Sequence, residues 1–243
     1  MKNSQFITPP PRGLSLLNVA SAILLLGAAW MVFFFAPKEA VMGQVQRVFY
    51  FHVATGWVGM VAFLAAAVAG VIYLIRPHTK YDVFAVASVE IGLVYSFINI
   101  ASGSIWARPV WNTWWTWDPR LVTASIMELV FLAYLLLRQS VDDPERRARF
   151  GAIYAVLGSI TVPLTYMSIR IWRTIHPVVI GSGDPTAQGS FDMTRPMVLT
   201  LLFSLLAFSV FGITLLWHRV RLGWLADRVE ELRYKAARGQ GEP

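Results

Sequence analysis

The chain of 243 residues is 56% hydrophobic and 14% charged, with a mean hydropathy of +0.54; these values exclude an ordinary soluble domain and point to a polytopic membrane protein. It has no cysteine, which excludes disulfides, thiolate metal sites and a cysteine nucleophile. The net charge of +7 comes from bases that flank apolar runs, a topology pattern rather than a nucleic-acid surface, so no nucleic-acid partner is expected.

Residues 1–13, with three consecutive prolines, read as a tail. Leu14 to Phe35 is a first apolar run of about 33 Å as a helix, enough to cross a hydrocarbon core of about 30 Å. It is longer than the core of a cleavable signal and is read as retained. After a polar connection, APKEAVMGQVQRVFYF, come a second span, Val53 to Ile75, a turn, and a third span, Val83 to Ile105, which carries Glu90 and Asn99. A tryptophan-rich loop leads to the fourth span, Leu121 to Leu137, with Glu128 inside it. The fifth, Gly151 to Ile171, contains Pro163, which predicts a kink. The long polar loop Trp172 to Pro196 precedes the sixth span, Met197 to Trp217. The expected architecture is therefore an all-α polytopic membrane protein of six transmembrane helices forming one membrane domain over 14–217.

Fourteen of the twenty-one lysines and arginines fall in 1–13, 76–82, 138–150 and 218–243. The positive-inside rule then places both termini in the cytoplasm and the Trp-rich loop between helices 3 and 4 on the outer face. In the basic tail 218–243, Leu222, Leu225, Val229 and Leu232 recur at helical spacing, the pattern of an amphipathic helix on the anionic inner leaflet or, alternatively, of a docking helix. No Gly-Lys-Ser/Thr phosphate loop occurs, so the chain is not its own ATPase.

Five of ten tryptophans, Trp106, Trp111, Trp114, Trp115 and Trp117, lie within twelve residues of each other. An ordinary interfacial aromatic belt needs one or two per boundary; five beside Asp118 and Arg120 predict a platform for a flat aromatic guest. His52 and His176 stand at span ends on the same outer face, on either side of that loop in sequence. Haem iron is commonly held by imidazole, whereas a bare zinc or copper site typically needs three or four ligands. Phe49, Tyr50, Phe51 and Trp57 add aromatic surface around His52, and Pro177 holds His176 out of a helix. Outer-face arginines, Arg120 foremost, suit the carboxylates of such a guest. Asp118 is expected either to pair with Arg120 or to cap the fourth helix, with Pro119 at its first position. Glu90 and Glu128, deep in predicted spans, are functional candidates or partners within the bundle.

The run GSIWARPVWNTWWTWDPRL resembles the tryptophan-rich WWD signature of haem-handling membrane proteins, and RVFYFHV and IWRTIHP resemble their two histidine segments. Length, six spans and the order histidine, Trp loop, histidine are similar to the haem exporter protein C family, the C subunit of the bacterial cytochrome c maturation system. Asn112 stands where that family usually has glycine, and Val122 where it usually has threonine. The resemblance implies a multi-pass protein of the bacterial inner membrane that presents haem b on the periplasmic face. It also implies axial ligation by His52 and His176, with Trp111, Trp114, Trp115, Trp117, Asp118 and Arg120 of the loop and Trp57 and Trp172 beside the histidines. The implied partners are a membrane-anchored haem chaperone, a second membrane subunit and an ATPase subunit of an ABC-type complex, and a small single-span subunit. The implied role is binding, transfer and export rather than catalysis. The competing readings are a haem lyase of the same superfamily, whose members generally carry further histidines inside the membrane, a small-molecule permease, and a structural subunit of an ABC transporter.

Overall fold

Seven α-helices make up most of the described residues: α1 Arg12–Trp30, α2 Arg47–Ile75, α3 Thr79–Trp111, α4 Pro119–Gln139, α5 Pro144–Gly158, α6 Thr161–Ile171 and α7 Arg195–Gly239. The computed structural model describes residues 10–40, 42–177 and 193–239. The beginning of the expected amino tail, the centre of the Trp172 to Pro196 loop and the last four residues of the basic tail lie outside the described residues. Six helical segments are long and apolar enough to cross a membrane, α5 and α6 together forming the fifth. No strand occurs among the described residues, and the expected all-α, six-span architecture holds.

Local chemistry sets where the helices begin and break. Asp118 and Asp143 each precede a proline at the first helical position, and their side chains accept the Arg120 and Arg146 N–H groups at 2.9 and 2.7 Å, which satisfies donors that a helix start leaves unpaired. Asp143 thereby makes the charged residues 144–150 helical, so that the fifth span starts earlier than its apolar run. Pro163 lacks the N–H that would bond Ser159, and the carbonyl of Ser159 instead takes the Val162 N–H at 3.1 Å; the predicted kink is this break between α5 and α6. At the end of α1, Met31–Phe35 forms a π-turn closed by the Ala36 N–H on the Met31 carbonyl at 2.8 Å, and Pro37 holds Ala36 extended.

Three boundaries differ from the sequence expectation. α2 starts at Arg47, so His52 lies inside the second span rather than ahead of it: the aromatic run Val48 to Phe51 supplies apolar surface that continues the helix. α3 runs to Trp111, which moves Trp106 and Trp111 from the loop onto the last turns of a helix, in spite of Pro109. α7 continues through the expected tail without a break, so tail and sixth span are one helix.

The core sits where α2, α3, α4, α5 and α6 meet. Phe63 and Phe131 stack face to face, centroids 3.8 Å apart and 4° from parallel, among Val89, Leu93, Met127 and Ala155. Ion pairs tie the helices at one end. Arg138 of α4 grips Asp82 of α3 through two bonds of 2.6 and 2.8 Å, and Arg219 of α7 holds Glu90 at 2.8 Å, which gives that deep carboxylate a partner inside the bundle. At the same end His218 bonds Asn18 of α1 at 2.9 Å. The start of α1, the turns around residues 76–78 and 140–143 and the second half of α7 therefore share one end, and the α3–α4 loop and residues 172–177 share the other. Glu128 lies between them on α4, one of its carboxylate oxygens buried and without a hydrogen-bond partner among the described residues.

Gly92 is required by the aromatic stack. A Cβ there would stand 2.5 Å from the Phe63 ring, so Gly92→Ala must push Phe63 off Phe131. The expected cost is about 1–3 kcal/mol, the range for overpacking a filled core, read as a lowered unfolding midpoint of the detergent-solubilised protein; adding Phe63→Leu should recover part of it.

Candidate functional site

His52 occupies the second turn of α2, and α3 builds its seat. The His52 Nδ1 lies 2.9 Å from the Asn99 carbonyl oxygen, with Ser102 Oγ at 3.3 Å, while the Asn99 side-chain amide donates to the His52 carbonyl at 2.7 Å. A carbonyl only accepts, so Nδ1 carries the proton and Nε2 keeps its lone pair. The Cε1 corner of the ring abuts Gly103, where a Cβ would come within 2.9 Å of it; any larger residue would displace the imidazole.

The second histidine is positioned by a carboxylate. Asp118 is buried, 8% exposed. Besides the Arg120 N–H, its oxygens take the Thr174 hydroxyl at 2.8 Å and the Ile175 N–H at 2.9 Å. Thr174 Oγ1 in turn accepts the His176 N–H at 3.0 Å. One acidic side chain thus caps α4 and fastens the segment after α6 to it; of the two roles expected for Asp118, the structure has the cap, extended by a function toward His176 that the sequence did not reveal. The His176 Nδ1 sits 3.0 Å from the Pro177 carbonyl, so this imidazole too keeps Nε2 as its lone-pair atom. Burial, the Arg120 guanidinium and His52 push the His176 pKa down to about 3. The ring is consequently neutral near pH 7, the form that binds a metal.

The two imidazoles border one small cavity, with ring centroids 6.3 Å apart and planes 38° from parallel. The cavity, of about 60 Å³, is walled by Trp106, Trp111, Trp115 and Arg120 as well as the histidines. Trp106 and Trp111 meet edge to face at 5.1 Å. The buried Nε1–H of Trp106 has no partner among the described residues. Arg120 donates to the Thr165 carbonyl of α6, which anchors one arm of a guanidinium at the cavity wall. The helix that leads into the loop ends at Asn112, in the left-handed conformation at φ 56°. Glycine is the least strained residue there and asparagine the best tolerated of the others, so Asn112, where the resemblance led to an expected glycine, keeps the turn. Arg108 closes it by donating to the Asn112 carbonyl at 2.6 Å.

Of the residues singled out in the sequence, the fold brings together His52, His176, Trp111, Trp115 and Arg120, with Asp118 behind them. Trp114 and Trp117 point outward, 58% and 83% exposed. Trp172 is exposed beyond α6. Trp57 lies toward α7, where its Nε1 donates to Ser209 Oγ at 3.2 Å, and does not line the cavity. Asn99 and Gly103, which precede the expected Trp106 at helical spacing on α3 (i, i+4 and i+7), are cavity residues whose role was missed. A polar residue in an apolar span with two small or aromatic residues at helical spacing was the available signal. No group of three or more potential metal-binding His, Cys, Asp or Glu side chains occurs among the described residues.

A family model described as Heme exporter protein C matches residues 2–235. A Heme exporter protein C of Bradyrhizobium diazoefficiens is 29% identical over 218 residues, which cover 90% of this chain and 81% of the relative. One of Rhodobacter capsulatus is 30% identical over 220 residues, 89% of each chain. One of Escherichia coli K12 is 30% identical over 206 residues, covering 84% of this chain and 81% of the relative.

Asp118→Ala should loosen both things the carboxylate holds. Loss of a helix cap costs about 1 kcal/mol, and the unpaired Ile175 N–H adds to it. Amide hydrogen exchange should accelerate at 174–176 and in the first turn of α4, and remain unchanged in the core of α2 and α3.

Proposed function

The chain belongs to the haem exporter protein C family, as a multi-pass membrane protein that handles haem for cytochrome c maturation, and from that premise we propose that its cargo is haem b held between His52 and His176. The observation that carries this reading is the spacing of the two imidazoles on one cavity. A metal–imidazole bond is about 2 Å, so imidazoles bound on opposite sides of one metal have ring centres roughly 6 Å apart, and these rings are 6.3 Å apart. Each Nδ1 is engaged by a backbone carbonyl, the outer bond that sets ring orientation and raises the basicity of a ligating histidine. With two protein donors and no group of three or more potential metal-binding side chains among the described residues, a macrocycle is the fitting source of the remaining ligands.

The other residues then divide the work. Trp106, Trp111 and Trp115 supply apolar faces for the porphyrin, and the charge of Arg120 suits a propionate. A cavity of about 60 Å³ is far below the roughly 300 Å³ at which ligand pockets begin. The haem therefore enters by displacing the loop 112–118 or the His176 segment, and one porphyrin edge stays outside the protein. Trp114, Trp117 and Trp172, exposed on that side, offer a landing surface for a membrane-anchored haem chaperone, and an edge-exposed haem is open to transfer. This is a delivery role, exercised beside a second membrane subunit, an ATPase and a small single-span subunit. The basic residues concentrated at the opposite end of the bundle support a cytoplasmic location for that end, with both termini, and a periplasmic location for the haem site in the bacterial inner membrane.

His52→Ala and His176→Ala should each weaken haem retention at least tenfold in titrations of the purified chain, and Gly103→Ala should weaken it by a smaller factor through His52. Retention equal to wild type in both alanine variants would remove the ligand assignment.

A further inference from the structure

The end of α7 runs on as an exposed helix. At 1.5 Å per residue the 45 residues of Arg195–Gly239 extend about 67 Å, more than twice a hydrocarbon core of about 30 Å. Leu222 lies about 40 Å along that axis from Arg195, and Leu232 about 55 Å, so the unbroken helix carries both past the membrane. Val220 still packs on Val83 and Ala87 of α3. From Trp224 to Ala236 every residue is exposed. A free segment of this length is marginal as a helix on its own.

Its leucines and its valine share one stripe, with Trp224 and Tyr234 off it. Leu222, Leu225, Val229, Leu232 and Ala236 are spaced three, four, three and four apart, the a and d positions of a heptad, and the four larger ones are between 37% and 59% exposed. A stripe two residues wide per heptad is the seam of a coiled coil; an interfacial helix has a broader apolar face. The positions beside the seam set which partner it accepts. The g positions are Arg221, Arg228 and Lys235, and the e positions are Ala226 and Arg233. Glu231 is shared by Arg228 and Lys235 at 2.7 and 2.6 Å, so one carboxylate serves two bases and the flanks stay positive. A second copy of this chain is a poor occupant. Parallel pairing sets Arg228 against Arg233, and antiparallel pairing sets g against g and e against e, like charges in both cases.

The geometry points to a heterotypic docking site: the α7 extension pairs through Leu222, Leu225, Val229 and Leu232 with an amphipathic helix of a partner protein whose own flanking positions are acidic. The site lies at the end of the bundle opposite the histidines and does not depend on the haem reading. It turns the tail from a membrane-surface helix into an arm through which a partner can grip the sixth span.

The test uses the full chain in phosphatidylcholine nanodiscs and two synthetic helical peptides, each with Leu at a and d, one with Glu and the other with Lys at e and g. Fluorescence anisotropy should show the Glu peptide binding at least tenfold more tightly than the Lys peptide. Leu225→Asp combined with Val229→Asp should abolish binding, and Arg228→Glu combined with Arg233→Glu should reverse the preference. Because these side chains are exposed, the unfolding midpoint should stay at the wild-type value. Equal binding of both peptides, or binding that survives the seam variants, overturns the proposal. So does failure of the Glu peptide to bind, whether a dye on Val229→Cys, the sole thiol in the chain, then reports burial on adding phosphatidylglycerol, as for a leaflet helix, or Ala236→Cys cross-links between copies, as for a homodimer.

Discussion

The site depends on the carboxylate of Asp118. It is buried and is satisfied by three donors from two distant stretches of chain: the Arg120 N–H at the start of α4 and the Thr174 hydroxyl and Ile175 N–H after α6. A buried carboxylate is stable only when its oxygens are bonded in this way. Residues 172–177 have no regular secondary structure of their own, and this anchor sets their position. Remove the carboxylate and His52 keeps its seat on α3, but the imidazole opposite has no fixed place.

The two histidines are held by contrasting means. His52 sits on a helix, clamped by Asn99 and laid against Gly103, so its position is inherited from the α2–α3 hairpin and the core beneath it. His176 sits on a tethered segment, next to a loop whose turn requires a left-handed residue at Asn112. Under the proposed haem reading, one rigid and one tethered ligand suit a site that has to open for a cargo larger than its resting cavity, because only one wall needs to move. The far end of the bundle is built differently again, from bidentate and paired ions at Asp82–Arg138 and Glu90–Arg219, which lock α3, α4 and α7 together where the basic residues gather.

Much of this was legible in the sequence. Six apolar runs gave six spans, because a segment with no water around it has to satisfy its backbone internally as helix. Asp-Pro predicted the start of α4, Pro163 the break in the fifth span, and the resemblance to a haem-handling family fits both the family match and the pairing of His52 with His176. The helix limits were less visible, since aromatic residues such as Phe49 and Trp106 serve equally well in a loop at the interface or on the last turn of a helix. Contacts across the bundle were hidden. Nothing in Asn99 or Gly103 alone announces that they seat a histidine 47 or more residues away, and the bond from Asp118 to Ile175 spans 57 residues. The indoles looked alike in sequence, yet Trp111 and Trp115 turn inward, Trp114 and Trp117 outward, and Trp57 toward α7.

The central claim is that one iron is held by both imidazoles at once. Electron paramagnetic resonance of the haem-loaded full chain in the ferric state addresses it most directly. The account predicts a low-spin signal for the wild type, converted to high-spin by His52→Ala and by His176→Ala alike, as each removes one of two strong axial ligands. A low-spin signal that persists unchanged in either variant, or a high-spin wild type, would contradict it.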